Sequence, residues 1–406
     1  MNKQRLFTAS CIALIATAMS FAIRGDIMPE LQTVYGLNDT QLGWIGTAAF
    51  WGFGLSILFG GPLCDLLGMG TIMRLAAFGH ITGTILTIAA PNFTVLFLAT
   101  VLIGTANGFV EAAINPLVAT IYADQKTARL TALHAWFPGG IVIGGLAAFA
   151  FTQLGLHWQA KMLLLLIPSV VYILLFVGQK FPQTERAAAG IPASQAVREL
   201  ARPLFIVIWL CMWLTASTEL GPGTWIPTIF NRLIPTAAQA GIVNLVWINL
   251  VMYLLRQFAG GISHRVSPVG LIAGTSVLAA SGLYMFSQAH TAPAAFLAAT
   301  VFACGVAFWW PTMLGITSER FPRTGALGLA VIGGSGSFAT AISGPIMGMI
   351  SDHYGVTQAN PALAGQVLAV WALLPVALFV IFGAIYLRDK AAGGYRVERI
   401  GQGVSA

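Results

Sequence analysis

The stretch FTVLFLATVLIGTANGFVEAAINPLVATIYA, Phe93–Ala123, decides the fold. It is apolar almost throughout and longer than the roughly 20 residues a helix needs to cross a bilayer core. In lipid the backbone must satisfy its own polar groups, so such a run reads as a membrane helix. Its polar interruption lies mid-run, where Asn107, Glu111 and Asn115 are spaced i, i+4, i+8. That spacing puts the three on one stripe of the helix. Gly108 and Ala112 beside them allow a close neighbour. Ionisable groups at this depth are rare and costly, which makes Glu111 a functional candidate. The competing reading is a permanent ion pair or a hydrogen-bonded anchor to the first span.

The rest of the chain repeats the pattern. Of 406 residues, 57% are hydrophobic and 8% charged, whereas a soluble domain carries about 25% charged residues. Twelve apolar spans are expected, at 7–33, 40–64, 70–90, 93–122, 130–155, 160–178, 203–231, 237–263, 267–288, 293–318, 326–351 and 364–387. The runs do not alternate polar and apolar, which excludes a β-barrel. The first span is too long for a signal peptide and continues through Arg24 and Asp26. Cys11, Cys64, Cys211 and Cys304 stand singly, with no metal or disulfide spacing. No phosphate-cradling loop or nucleotide motif is present, so neither an enzyme nor a direct user of ATP is expected, and no cofactor beyond a coupling proton.

Basic residues cluster on one side. The N-terminus, the even-numbered inter-span segments and the C-terminal tail hold Arg74, Lys126, Arg186 and Arg202 among others, while the opposite side holds only Lys161 and Arg232. This asymmetry predicts a multi-pass protein of the inner membrane with both termini in the cytoplasm. The net charge of +7 follows from that bias and from contact with anionic lipid; it is not a nucleic-acid signal. Lipid, a small-molecule substrate and a monomeric state are the expected partners and assembly.

The polar segment 179–202 divides the chain into six-span halves, 1–178 and 203–388, followed by a tail, 389–406, that reads as disordered. SQAVRELAR within the linker suits a short surface helix. The halves echo one another: GDIMP (Gly25–Pro29) answers GTWIP (Gly223–Pro227), and GGPLCDLLGMG answers GGISHRVSPVG. Pro116 precedes Arg129 by thirteen residues, and Pro311 precedes Arg323 by twelve. Weak internal repetition of this kind marks transporters built by duplication, with substrate held between the halves. The expected fold is all-α, two pseudo-symmetric six-helix bundles.

GGPLCDLLGMGTIMR, Gly60–Arg74, is similar to the loop 2–3 signature of the major facilitator superfamily, with Asp65, Gly68 and Arg74 in its places. Within that superfamily the chain resembles the fucose–galactose–glucose:proton symporters. FVEAAINPLV (Phe109–Val118), RLTALHAWFPGG (Arg129–Gly140), ELGPGTW (Glu219–Trp225), FWWPT (Phe308–Thr312) and GGSGSFATAISGPIMGMISDHYG (Gly333–Gly355) carry the resemblance in order along the chain. It implies proton-coupled symport of a monosaccharide or similar small neutral solute by alternating access. Glu111 and Asp26 would then handle the proton. His134, standing where the family has a sugar-contacting glutamine, would join Glu219 and Trp225 at the substrate.

The remaining polar and aromatic candidates are weighed singly. Arg24 and Asp26 point to opposite sides of the first helix, and Arg24 is expected to meet Glu111. Asn107, Asn115, Trp136, Trp309 and Trp310 join the substrate candidates; the tryptophans compete with an interfacial role. Asp65, Gly68 and Arg74 suit a gate or loop lock. Arg256 is expected to snorkel to the headgroups as a structural anchor. Rival functions are a proton-driven exporter of drugs or metabolites, an organic-anion carrier using Arg24, and, least favoured, a non-transporting sensor.

Overall fold

The computed structural model describes residues 1–224, 226, 240–257, 266–356 and 363–400, and these form helices with no strand among them. Eleven helical stretches among them are long and apolar enough to cross a membrane. The N-terminal half comprises α1 (Lys3–Tyr35), α2 (Asp39–Leu67), α3 (Met69–Ile88), α4 (Phe93–Ile121), α5 (Lys126–His134), α6 (Trp136–Gln153), α7 (Trp158–Leu163) and α8 (Leu166–Phe176). The linker carries α9 (Glu185–Ala188) and α10 (Ala193–Leu200), the expected surface helix. The C-terminal half holds α11 (Pro203–Leu220), α12 (Ala240–Gln257), α13 (Pro268–Ser287), α14 (Ala292–Val306), α15 (Trp309–Arg320), α16 (Gly325–His353), α17 (Ala364–Trp371) and α18 (Leu373–Ala391). The fifth, sixth, tenth and twelfth expected spans are therefore each made of two helices.

Short polar residues start several of these helices. Asn38 accepts from the Gln41 backbone at 2.8 Å while the Gln41 side chain accepts from the Asn38 backbone at 3.1 Å, a reciprocal cap for α2. Asn2 and Asn92 cap α1 and α4 in the same way, on one side. Gly68, at φ +82°, turns the chain between α2 and α3, a conformation strained for any residue with a side chain. Pro29 does not stop α1, which continues to Tyr35.

Helix contacts within lipid rest on close packing rather than on a hydrophobic drive. The α2–α4 crossing shows this. A Cβ on Gly108 would collide with the Ser56 hydroxyl and the Phe53 carbonyl, and one on Gly52 would lie 2.6 Å from the Val101 carbonyl. Small residues let the two backbones touch, which presses the Glu111 stretch of α4 against its neighbour.

Among the described residues the largest helix contacts between the halves are α2 with α16, α6 with α12, α4 with α16 and α5 with α15. In span order these are 2–11, 5–8, 4–11 and 5–10. Shifting every number by six exchanges the first two pairs and exchanges the last two. The internal repeat read from sequence is thus a two-fold relation of packing.

Both termini lie at the same end. The Asn2 amide donates to Gln179, and Arg399 reaches Asp124 at 3.5 Å. The tail is not disordered over its described part, contrary to expectation. Tyr395 donates to Glu319 at 2.9 Å, the Glu398 amide donates to the Glu319 carbonyl at 2.8 Å, and Arg202 pairs with Glu398 at 2.8 Å. Arg320 stacks over the Tyr395 ring at 4.5 Å. An aromatic ring and alternating charges give this short segment enough partners to hold a fixed path. Burial beside Glu319 pushes the Tyr395 hydroxyl well above its ordinary pKa, so it stays a donor.

Candidate transport site

A cavity of about 250 Å³ lies where the halves meet. One wall is aromatic. Phe21 of α1 touches Phe50, Phe53 and Phe137 with ring centroids 5.3, 5.6 and 6.3 Å away. Ile141, Leu220 and Trp310 extend this surface, and Ser337 and Thr340 of α16 complete it. The polar side holds Glu111 from α4, His134 from α5, Glu219 from α11 and Arg256 from α12. Two acids, one from each half, therefore face one arginine.

The helix breaks explain how that arginine is held. Span 5 is interrupted at Ala135 and span 10 at Ala307–Phe308, and each break exposes backbone carbonyls inside the membrane region. Such groups need partners there. Arg256 supplies them: Nη1 donates to the His134 carbonyl at 2.8 Å and Nε donates to the Ala307 carbonyl. Its Nη2 donates to Glu219 Oε1 at 3.2 Å. Arg256 is 3% exposed, so it does not snorkel. The two broken helices, one from each half, offer it better acceptors than the headgroups.

Glu111 is organised by its own helix and by α5. Asn115 Nδ2 donates to Glu111 Oε2 at 2.8 Å, and Asn115 Oδ1 lies 2.8 Å from His134 Nε2. Since that oxygen only accepts, His134 carries its hydrogen on Nε2 and leaves Nδ1 as an acceptor. Glu111 Oε2 is 3.9 Å from the same imidazole. The chain Glu111–Asn115–His134 then joins Arg256 and Glu219 through the His134 carbonyl.

Other expectations change. Arg24 does not reach Glu111; it donates to Thr100 at 2.7 Å, about three helical turns away along α4. Asp26 faces the other way and, with Glu30, clamps the buried Lys161 of α7 at 2.7 and 3.0 Å. Lys161 is therefore a helix-packing residue rather than a loop residue. Asn107 is turned from the cavity: it accepts from His80 at 2.7 Å and donates to Ser20 at 2.8 Å, and His80 also meets Tyr172 at 3.0 Å. This buried polar group in the N-terminal half was not singled out from sequence, and a lone histidine gives little signal. Trp309 is fully buried and donates to Thr275 at 2.9 Å, a core anchor. Trp136 packs edge-on against Tyr253 across the halves at 5.5 Å. Trp225 lies outside the described residues.

The gate candidates separate as well. Asp65 accepts from Thr184 and from Arg186 at 2.6 Å, tying the α2–α3 turn to the linker. Arg74 is exposed and bonds only its neighbour Thr71 among the described residues. The inter-half bonds at the end carrying the termini were not foreseen. Lys126 bridges Glu185 at 2.6 Å and the Ser318 carbonyl at 3.2 Å, and the Thr127 hydroxyl donates to Glu319 at 2.6 Å. These bonds close that end.

The Major Facilitator Superfamily profile matches residues 9–335. The chain belongs to that superfamily. It is 22% identical to the membrane protein MosC of Rhizobium meliloti, over 86% of either chain. It is 23% identical to the niacin transporter NiaP of Acinetobacter baylyi, over 95% of this chain and 93% of that one. Its fold matches the superfamily transporter FucP in its outward conformation with a TM-score of 0.75, at 18% identity, covering 93% of this chain and 98% of FucP. As a member, the chain is a multi-pass transporter working by alternating access on a small molecule.

Proposed function

We propose that this chain is a proton-coupled secondary transporter of a small organic solute, with Glu111 as the proton carrier. One observation carries the reading: Glu111 and Glu219, from opposite halves, converge on Arg256, which also caps the helix breaks of spans 5 and 10. Glu219 already holds the arginine, so Glu111 is the acid without a direct cationic partner among the described residues. A proton arriving on Glu111 alters the charge balance at a joint where both halves are pinned. That couples protonation to rocking. Termini in the cytoplasm and residence in the inner membrane belong to the same proposal, on the charge asymmetry.

FucP is described as a fucose:proton symporter, and NiaP as a niacin transporter. The cavity favours a ring that lies against phenylalanine over a polyhydroxylated solute. Its hydroxyl-bearing side chains, Ser337 and Thr340, are turned back onto the Gly333 and Gly336 carbonyls at 3.3 and 3.0 Å. Monosaccharide symport, the sequence expectation, is retained as one arm of the test. Proteoliposomes holding a pH dye receive fucose, xylose, niacin or tryptamine outside. A solute-dependent lumenal pH change is expected with at least one, lost in Glu111→Gln while solute counterflow persists. Counterflow with no proton movement in the wild type would sink the proton coupling.

A further inference from the structure

We infer that the cavity selects an organic cation: an aromatic or similarly flat body bearing an amine or another N–H donor. This names the solute class for the site and rests on the transport reading above.

The first ground is an inventory of hydrogen-bonding groups. Most of the polar donors facing the cavity are engaged. Each nitrogen of Arg256 makes one bond, to Glu219, the His134 carbonyl or the Ala307 carbonyl, which occupies three of its five N–H groups. The His134 N–H goes to Asn115, and the Asn115 amide goes to Glu111. The acceptors are not used. Glu219 Oε2 is buried with no partner among the described residues, on a side chain only 8% exposed. The bonds of Glu111 and His134 to Asn115 use Oε2 and Nε2, leaving Glu111 Oε1 and His134 Nδ1 as further acceptors. A buried acceptor left empty costs free energy, so such a site rewards a solute that brings donors.

The second ground is charge. Two carboxylates face one guanidinium, so with both ionised the polar side carries a net negative charge. A carboxylate solute would have to share Arg256 with Glu219 while lying beside two like charges. An ammonium is drawn to both acids and leaves the bonds of Arg256 in place.

The third ground is the wall. Phe21, Phe50, Phe53 and Phe137 form one cluster of rings around the cavity. Ring faces attract cations once water is removed, most strongly in desolvated sites. The same rings take a flat apolar body by stacking. An amine on an aromatic frame uses both ends of the cavity at once.

The test is an isosteric series on purified full-length protein in nanodiscs: tryptamine, tryptophol and indole-3-acetate, a cation, a neutral alcohol and an anion on one indole. Calorimetric titration near neutral pH is expected to show tryptamine binding tenfold or more tighter than indole-3-acetate, with tryptophol between them. Glu219→Gln is expected to reduce the preference to threefold or less. Phe21→Leu, which leaves the charges in place, is expected to weaken tryptamine several-fold. Equal or tighter binding of the anion, or no binding of tryptamine to folded protein, overturns the inference. The pH-dye assay separates this from the parent reading. Proton movement driven by a neutral or anionic solute alone would overturn the cation assignment and keep the coupling. Tryptamine that binds and exchanges without moving protons would do the reverse.

Discussion

Arg256 is the residue on which most of the site depends, because it pairs with an acid and closes two interrupted helices. Removing one partner of a buried ion pair strands the other charge, at a cost of roughly 3–5 kcal/mol. Arg256→Gln is therefore expected to lower the thermal midpoint sharply, and adding Glu219→Gln is expected to restore part of it. A double-mutant cycle of unfolding free energies in detergent checks this. Equal destabilisation in single and double variants would mean that the backbone caps, rather than the acid, set the cost. At Glu111 the expected loss is in coupling and not in stability, since Gln keeps the hydrogen bond with Asn115. Sequence located Glu111 by its depth in an apolar run, and that needs no partner. It mistook Asn107 for a cavity residue because i, i+4, i+8 holds a stripe only loosely. Each four-residue step drifts by about 40°, so Asn107 and Asn115 differ by about 80° around α4. That turn is enough to send one toward His80 and the other toward His134.

At the scale of elements, the small-residue seam between α2 and α4 fixes where Glu111 stands. Gly108→Leu would force side-chain atoms into Ser56 and Phe53. Overpacking of that kind costs about 1–3 kcal/mol, and the expected result is lower stability together with reduced transport, read by melting and by solute counterflow. The α1–α7 clamp gives the opposite expectation. Asp26→Asn loosens Lys161, lowering stability while leaving proton movement intact. Loss of proton movement at unchanged stability would return Asp26 to the coupling machinery. Over the described residues helix existence was legible because hydropathy alone decides it. The breaks at Ala135 and Ala307 were legible only in part: Pro138 and Pro311 stand four residues beyond His134 and Ala307 and, having no N–H, free those two carbonyls. They are held open by an arginine from a span distant in sequence, and no local pattern announces such a partner.

The whole molecule is shut at the end that carries its termini, and the bonds that shut it join the halves directly. Lys126 and Thr127 belong to one half, Ser318 and Glu319 to the other. A cysteine pair at Thr127 and Glu319 is expected to cross-link under mild oxidation and to stop counterflow, with recovery on reduction. Cross-linking without loss of transport would show that this contact does not open during the cycle. The two-bundle plan was readable in the linker and in the echoes between halves. The seated tail was not, because its partners, Arg202 and Glu319, lie far back in the chain.

Glu319 receives Thr127 on one oxygen and Tyr395 on the other, so a single carboxylate serves both the gate and the tail. Parting the halves removes the hydroxyl on one side and leaves the tail's seat without its counterweight. The tail then becomes a clock for the cycle. Trypsin cleavage after Arg396 or Arg399 should quicken in proportion to the time the protein spends open at that end, and a saturating solute that shifts this time should shift the rate of cutting with it.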